Sequence, residues 1–247
     1  MLSRRYLFPA LVIAELCLIA LIYWPVHSAD LVWDDKFYLY NQAWLRQGDE
    51  WVRIALHGFF DWKVYYRPLQ VLLFTAEARL FDVAPAPMHL LSLGLHLLNT
   101  LLVGALALRL SLFSNRDMKA GLLSCSAMLL YGLHPALIEP VALIASQADL
   151  LVTLFMLLGL LANTMPLPKR FVAVLPLAVA TYLSVRLLRT MRDRPVREKI
   201  WTALSLGIIA SMLFSLAVQA VFYGPLSAYE TCMGEALTSA ARASCDQ

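Results

Sequence analysis

Apolar runs long enough to cross a bilayer recur along the chain, separated by short polar segments and by one long one. The first covers residues 6–26, behind Arg4 and Arg5. At about 1.5 Å of rise per residue, a helix of that length reaches across a hydrocarbon core of roughly 30 Å. Further runs cover 88–108, 120–133, 150–162, 171–188 and 201–222. The run at 120–133 ends at His134-Pro135, where proline disfavours helix in the residue before it. A cleavable signal peptide is the rival reading of the first run, since His27-Ser28-Ala29 mimics a cleavage site. Glu15 inside the run and the bulky His27 argue for an uncleaved helix, with the N-terminus cytoplasmic by the positive-inside rule. The pattern predicts an all-α polytopic membrane helix bundle of about six transmembrane helices.

The long polar segment divides the chain. Residues 1–26 read as the first transmembrane helix, 27–87 as one large extracytoplasmic loop, 88–222 as the rest of the bundle, and 223–247 as a polar tail with a short helix at 233–243. Within the loop, 68–83 is apolar but interrupted by Glu77 and Arg79. It is too short and too charged for a span, so an interfacial helix is expected there.

Composition agrees. Of the 247 residues, 60% are hydrophobic and 15% charged, and the mean hydropathy is +0.67, too little charge to cover a soluble domain. The net charge of +3 is small, and nucleic acid is not an expected partner. Charge placement raises one conflict. Six alternating spans from a cytoplasmic start put the loop at 186–199 outside, yet that loop holds Arg186, Arg189, Arg192, Arg194, Arg197 and Lys199. Either residues 138–162 enter and leave the membrane from the outer side, or the charge rule is broken. The first option makes the basic loop cytoplasmic and the tail extracytoplasmic, where Cys232 and Cys245 can pair.

Candidate chemistry gathers in the outer segments. Asp34-Asp35 lies just beyond the first run, and two adjacent carboxylates there can hold a divalent cation or raise one another's pKa. Tyr65-Tyr66-Arg67-Pro68 follows, where a guanidinium among aromatics suits phosphate recognition, with Lys63 near enough to assist. The same features also fit ordinary loop acids and an aromatic-belt anchor with a snorkelling arginine. His89, His96 and Asn99 share one helical face, which suits helix–helix hydrogen bonds better than a metal. His134 and Glu139 either engage a ligand's phosphate or hydroxyls or cap helix ends, and Asp149 precedes an apolar run as an N-cap would.

The order of these words along the chain resembles one family. Asp34-Asp35, Tyr66-Arg67-Pro68-Leu69, His89…His96…Asn99, and Leu133-His134-Pro135…Glu139-Pro140-Val141-Ala142…Ala148-Asp149-Leu150-Leu151 are similar, over about residues 30–165, to the N-terminal half of the tetratricopeptide-tailed O-mannosyltransferases and their bacterial relatives. These belong to the GT-C superfamily of membrane glycosyltransferases. The resemblance implies a bacterial inner-membrane enzyme that moves a sugar from a polyprenyl-phosphate donor to an extracytoplasmic acceptor by a single inverting displacement. Asp34 would be the base that activates the acceptor, with Asp35 supporting it or a divalent cation. Arg67, with Tyr66 and Lys63, would contact the donor phosphate, and His134, Glu139 and His89 would line the cavity. The chain departs from the family at Gln147, where relatives often hold arginine, and carries neither tetratricopeptide repeats nor a clear Ser-Lys-Glu motif. A non-catalytic membrane subunit that binds polyprenyl-phosphate lipid, or that partners a larger transferase, is the alternative.

Overall fold

The computed structural model describes residues 4–40, 42–46, 48–57, 67–113, 117–190, 196–236 and 244–245, with no strand among them. The fold is all-α, and the protein is an integral membrane helix bundle. Helix α1, Arg4–Tyr23, is followed by the loop helices α2 (Asp34–Leu39), α3 (Ala43–Arg46), α4 (Glu50–His57) and α5 (Pro68–Phe81). Then come α6 (Pro85–Phe113), α7 (Asp117–Gly132), α8 (Ile138–Ala142), α9 (Gln147–Asn163), α10 (Val174–Thr190), α11 (Val196–Val221) and α12 (Tyr223–Glu235).

Among the described residues, four segments are long and apolar enough to cross a membrane: Tyr6–Ser28, Pro85–Ser111, Ile144–Asn163 and Ala203–Val221. A fifth is added if Ala120–Gly132 and Pro135–Ala142, bent by 56° at their junction, form one broken span. That break falls at Pro135, as the sequence predicts. The difference from six lies at 171–188, where α10 has 17 residues and carries Arg186 and Arg189. The stretch 138–162, read as re-entrant, holds short α8 and then one unbroken helix, α9. The tail helix also lies earlier than expected: α12 covers Tyr223–Glu235 rather than 233–243.

The chain divides into two compact units, Met1–Leu158 and Gly159–Gln247. In the first, glycines let helices approach closely, which in a membrane supplies the dispersion contact that water-driven burial cannot. A Cβ on Gly132 would meet Ile19 and Thr100, one on Gly121 would meet Phe8, and one on Gly104 would meet Met128 and Ser124. Gly121 with Phe8 and Gly132 with Ile19 make α1 parallel to α7. Gly104 with Ser124 and His96 with Gly132 make α6 antiparallel to it. Buried polar groups reinforce this packing. His96 Nε2 donates to the Gly132 carbonyl (3.0 Å) and Asn99 Nδ2 to the Leu150 carbonyl (2.9 Å), so the polar face of α6 binds neighbouring helices.

The segment between α1 and α6 is more than one helix on a surface. α2 to α5 enclose their own apolar core, in which Leu39, Trp44, Leu45, Ile54, Val71 and Phe74 are buried. Ile144 and Ala145 from the 3-10 turn before α9 join it. Each large buried side chain there contributes roughly 1.5–3 kcal/mol. α5 starts on Pro68, whose fixed φ suits a first helical position. It stops at Asp82 and Val83, both left-handed (φ 52° and 58°), with the Asp82 N–H closing on the Ala78 carbonyl.

In the second unit, α10 and α11 form an antiparallel hairpin around Ala173, Leu177 and Leu216. At the end away from the 191–195 connection, Arg170 reaches three partners. Its guanidinium donates to the Met165 carbonyl (2.8 Å), Gln219 Oε1 (2.9 Å) and Glu230 Oε1 (3.0 Å). Cys232 and Cys245 form a disulfide.

Candidate functional site

Asp34 and Asp35 open α2, where carboxylates favour the positive end of a helix. Successive helical residues point about 100° apart, so the two acids part company. Asp34 is exposed, whereas Asp35 is fully buried. The Ala145 N–H donates to Asp35 Oδ1 (2.6 Å), and His89, also fully buried, lies beside the same carboxylate. Asp35 Oδ2 has no hydrogen-bond partner among the described residues. Burial pushes the Asp35 carboxyl above its ordinary range, against the opposing pull of backbone N–H groups, chiefly those of Ala145 and Ile144, and of His89.

The same Ala145 peptide leads to Arg67. Gln70 Nε2, buried in the first turn of α5, donates to the Ala145 carbonyl. Arg67 Nη1, half-buried, donates in turn to Gln70 Oε1 (3.3 Å). The backbone of one residue, Ala145, therefore ties Asp35 on α2 to Arg67 before α5, with its N–H and its C=O each used once. Residues that lie 110 and 75 positions from Ala145 in sequence meet across it.

A second buried group adjoins this path through the same turn. Gln147 Nε2 donates to Glu77 Oε1 (3.0 Å), Ser92 Oγ (3.0 Å) and the Met88 carbonyl (3.2 Å). Two N–H bonds serve three acceptors, so at least one is shared. Glu77 Oε2 and Gln147 Oε1 have no hydrogen-bond partner among the described residues. Burial raises the Glu77 carboxyl to about 7, against the opposing pull of Gln147. A neutral carboxyl is thus retained close to neutral pH.

The structure thus brings together Asp35, Arg67 and His89 of the residues expected from sequence. His134 and Glu139 are exposed on the turn leading to α8. His134 Nδ1 accepts from the Ala136 N–H (3.2 Å), the capping role that the sequence left open. Neither residue has a hydrogen bond to the buried path among the described residues. Asp149 is exposed within the first turn of α9 rather than ahead of it. Lys63 and Tyr66 lie outside the described residues. Among the described residues no group of three or more His, Cys, Asp or Glu is placed to hold a metal ion, and Asp34 and Asp35 face different surroundings.

Sequence reasoning missed Gln70 and Glu77, and gave Gln147 only as a departure from a pattern. The signal was available: Gln70, Val71, Phe74, Thr75, Glu77 and Ala78 form the buried face of α5. Polar residues on the apolar side of a helix are the ones that need partners.

No protein-family model matches this chain, and neither does any curated protein or solved structure.

Proposed function

We propose that this protein is a GT-C type membrane glycosyltransferase that moves a sugar from a polyprenyl-phosphate donor to an extracytoplasmic acceptor. The observation that carries this reading is the hydrogen-bonded path from Asp35 through Ala145 and Gln70 to Arg67. It joins two separated sequence words, Asp34-Asp35 and Tyr66-Arg67-Pro68-Leu69, that the resemblance assigns to one site. In this mechanism Asp34, exposed and beside the buried path, accepts the proton of the acceptor hydroxyl as that oxygen attacks the anomeric carbon. The bond from that carbon to the donor phosphate breaks with inversion, and Arg67 stabilises the departing phosphate charge. Asp35 acts as a positioning residue that holds the turn at Ala145. Of the two acids, Asp34 is the one exposed to a divalent cation.

A second reading is a non-catalytic membrane subunit that binds polyprenyl-phosphate lipid or partners a larger transferase. The commitment of Asp35 Oδ1 to backbone, and Gln147 in place of arginine, favour it. On either reading the protein sits in a bacterial inner membrane, with Arg4 and Arg5 holding the N-terminus in the cytoplasm. The disulfide end of the α10–α11 hairpin suits an oxidising compartment and its opposite, arginine-rich end the cytoplasm, an orientation that requires 138–162 to enter and leave the membrane from the outer side rather than α9 to cross it.

The test is transfer of radiolabelled sugar from polyprenyl-phosphate donors by purified protein, comparing wild type with Asp34→Asn and Arg67→Ala. Turnover that falls by about 10²-fold or more in Asp34→Asn supports the enzyme, as expected for loss of a general base. Absence of turnover, with saturable donor-lipid binding that requires Arg67, supports the subunit.

A further inference from the structure

The first unit has another recess, separate from the path between Asp35 and Arg67. It is an open cleft of about 500 Å³, lined by Asp30, Lys36 and Tyr40, with Leu39 and Val83 buried in its floor and Pro85 at one edge. That volume falls in the range of small-molecule sites.

Three observations converge on it. First, of the non-glycine residues with left-handed φ among the described residues, Val83 (φ 58°) lines this cleft, Asp82 (φ 52°) precedes it in the chain, and Trp33 (φ 43°) falls in sequence between the lining residues Leu31 and Lys36. Trp33 begins the helix that forms one wall, and Asp82-Val83 forms the turn of the other. For a β-branched valine this conformation is a true outlier, and such strain persists where the surroundings enforce it, commonly at ligand sites. Second, Asp30 and Lys36 both line the cleft, yet neither side chain has a hydrogen bond or ion pair among the described residues. Two unlike charges thus share one recess without pairing. Third, Pro85 opens a candidate span, so the cleft lies where that span meets the polar loop.

We propose that this cleft binds the headgroup of a zwitterionic membrane phospholipid of the phosphoethanolamine kind. Lys36 takes the phosphate, Asp30 takes the primary ammonium, and the apolar floor takes the adjoining methylene groups. The exposed Tyr40 ring offers its face to the ammonium. An anionic headgroup such as phosphatidylglycerol would satisfy Lys36 but offer Asp30 only neutral hydroxyls in place of a cation, so the two charges together select a zwitterion. The position of Pro85 argues for a lipid source rather than a soluble one. This inference does not rest on glycosyl transfer.

The experiment uses full-length protein stripped of lipid in detergent and titrated with phosphatidylethanolamine or phosphatidylglycerol of identical acyl chains, with bound lipid read by native mass spectrometry. The expected result is a preference for phosphatidylethanolamine of about tenfold, the scale of one charge-assisted hydrogen bond. Lys36→Gln should weaken both lipids by about tenfold. Asp30→Asn should weaken phosphatidylethanolamine alone and erase the preference. Equal binding of the two lipids by wild type, or a preference that survives Asp30→Asn, overturns the proposal. Displacement of the lipid by equimolar O-phosphoethanolamine overturns the membrane source. Both side chains are exposed, and if Lys36→Gln fails to fold, Asp30→Asn alone decides the matter.

Discussion

Glu77→Gln should stabilise the protein in alkaline solution and remove part of its pH dependence. Glu77 is 1% exposed, with one carboxyl oxygen accepting from Gln147 and the other without a hydrogen-bond partner among the described residues. Burial raises its pKa from 4.5 to about 7. A carboxyl raised in the folded state binds its proton more tightly there than in the unfolded chain. Its contribution to stability is therefore fully present below 4.5 and is lost as pH rises through about 7. At about 1.36 kcal/mol per pH unit, the loss amounts to something on the order of 3 kcal/mol. Glutamine keeps the acceptor oxygen that Gln147 uses, and it cannot ionise. Asp35 is raised for the same reason and acts with the same sign, so the informative quantity is the difference between variant and wild type. The assay is the melting midpoint in detergent at about pH 4 and about pH 8.5. Near-equal midpoints at the lower pH and a more stable variant at the higher one are expected. Parallel shifts of the two proteins with pH would refute the account, because Glu77 would then ionise without cost.

The two acids of α2 should respond differently. Asp34→Asn should leave the melting midpoint within about 0.5 kcal/mol of wild type, and Asp35→Ala should lower stability by roughly 1–3 kcal/mol, since it strands the buried Ala145 N–H. Asp35→Asn, which keeps an acceptor oxygen, should fall between them, and an order reversed in thermal denaturation would remove the hydrogen-bonding role of Asp35. Gly132→Leu should destabilise by about 1–3 kcal/mol by wedging α7 off Ile19 of α1. Gly94→Leu, with nothing within 4 Å of its added Cβ, is the matched control, and equal losses would show that close approach is not the cause. Denatured protein taken from oxidised membranes should label with maleimide at Cys17 and Cys125 only, and at Cys232 and Cys245 after reduction; labelling of all four without reduction would place the tail in a reducing compartment.

What could be read in advance followed the strength of each signal. The spans were legible because apolar length is a nearly sufficient criterion for crossing a bilayer, and the break at Pro135 because proline acts on its immediate neighbour. The sixth expected span is not matched at α10, a helix of 17 residues whose last turns carry Arg186 and Arg189. α2, α3 and α4 were not legible at all. Helices of four to eight residues are not stable by themselves and exist here through tertiary burial of Tyr38, Trp44, Leu45 and Ile54. His96 and Asn99 were correctly read as helix–helix hydrogen bonders, because a buried polar face in a membrane has few other uses. Gln70 and Glu77 needed the fold, since their partners lie 75 and 70 positions away.

Adjacency in sequence is a poor guide to a shared site when the residues open a helix. Asp34-Asp35 invites the reading of a carboxylate pair, yet the turn of α2 sends one group to solvent and the other into the core against Ala145. A base must reach its substrate and exchange a proton with it. A buried carboxyl with one oxygen held by a backbone N–H is suited instead to keeping a loop in place. The division assigns solvent-facing chemistry to Asp34 and architecture to Asp35, and it extends across Ala145 to Arg67, where the exposed end of the path meets the phosphate-binding candidate. If this holds, loss of Asp35 should act on the site through the position of Arg67, weakening donor-lipid binding along with stability. Loss of Asp34 should leave lipid binding intact.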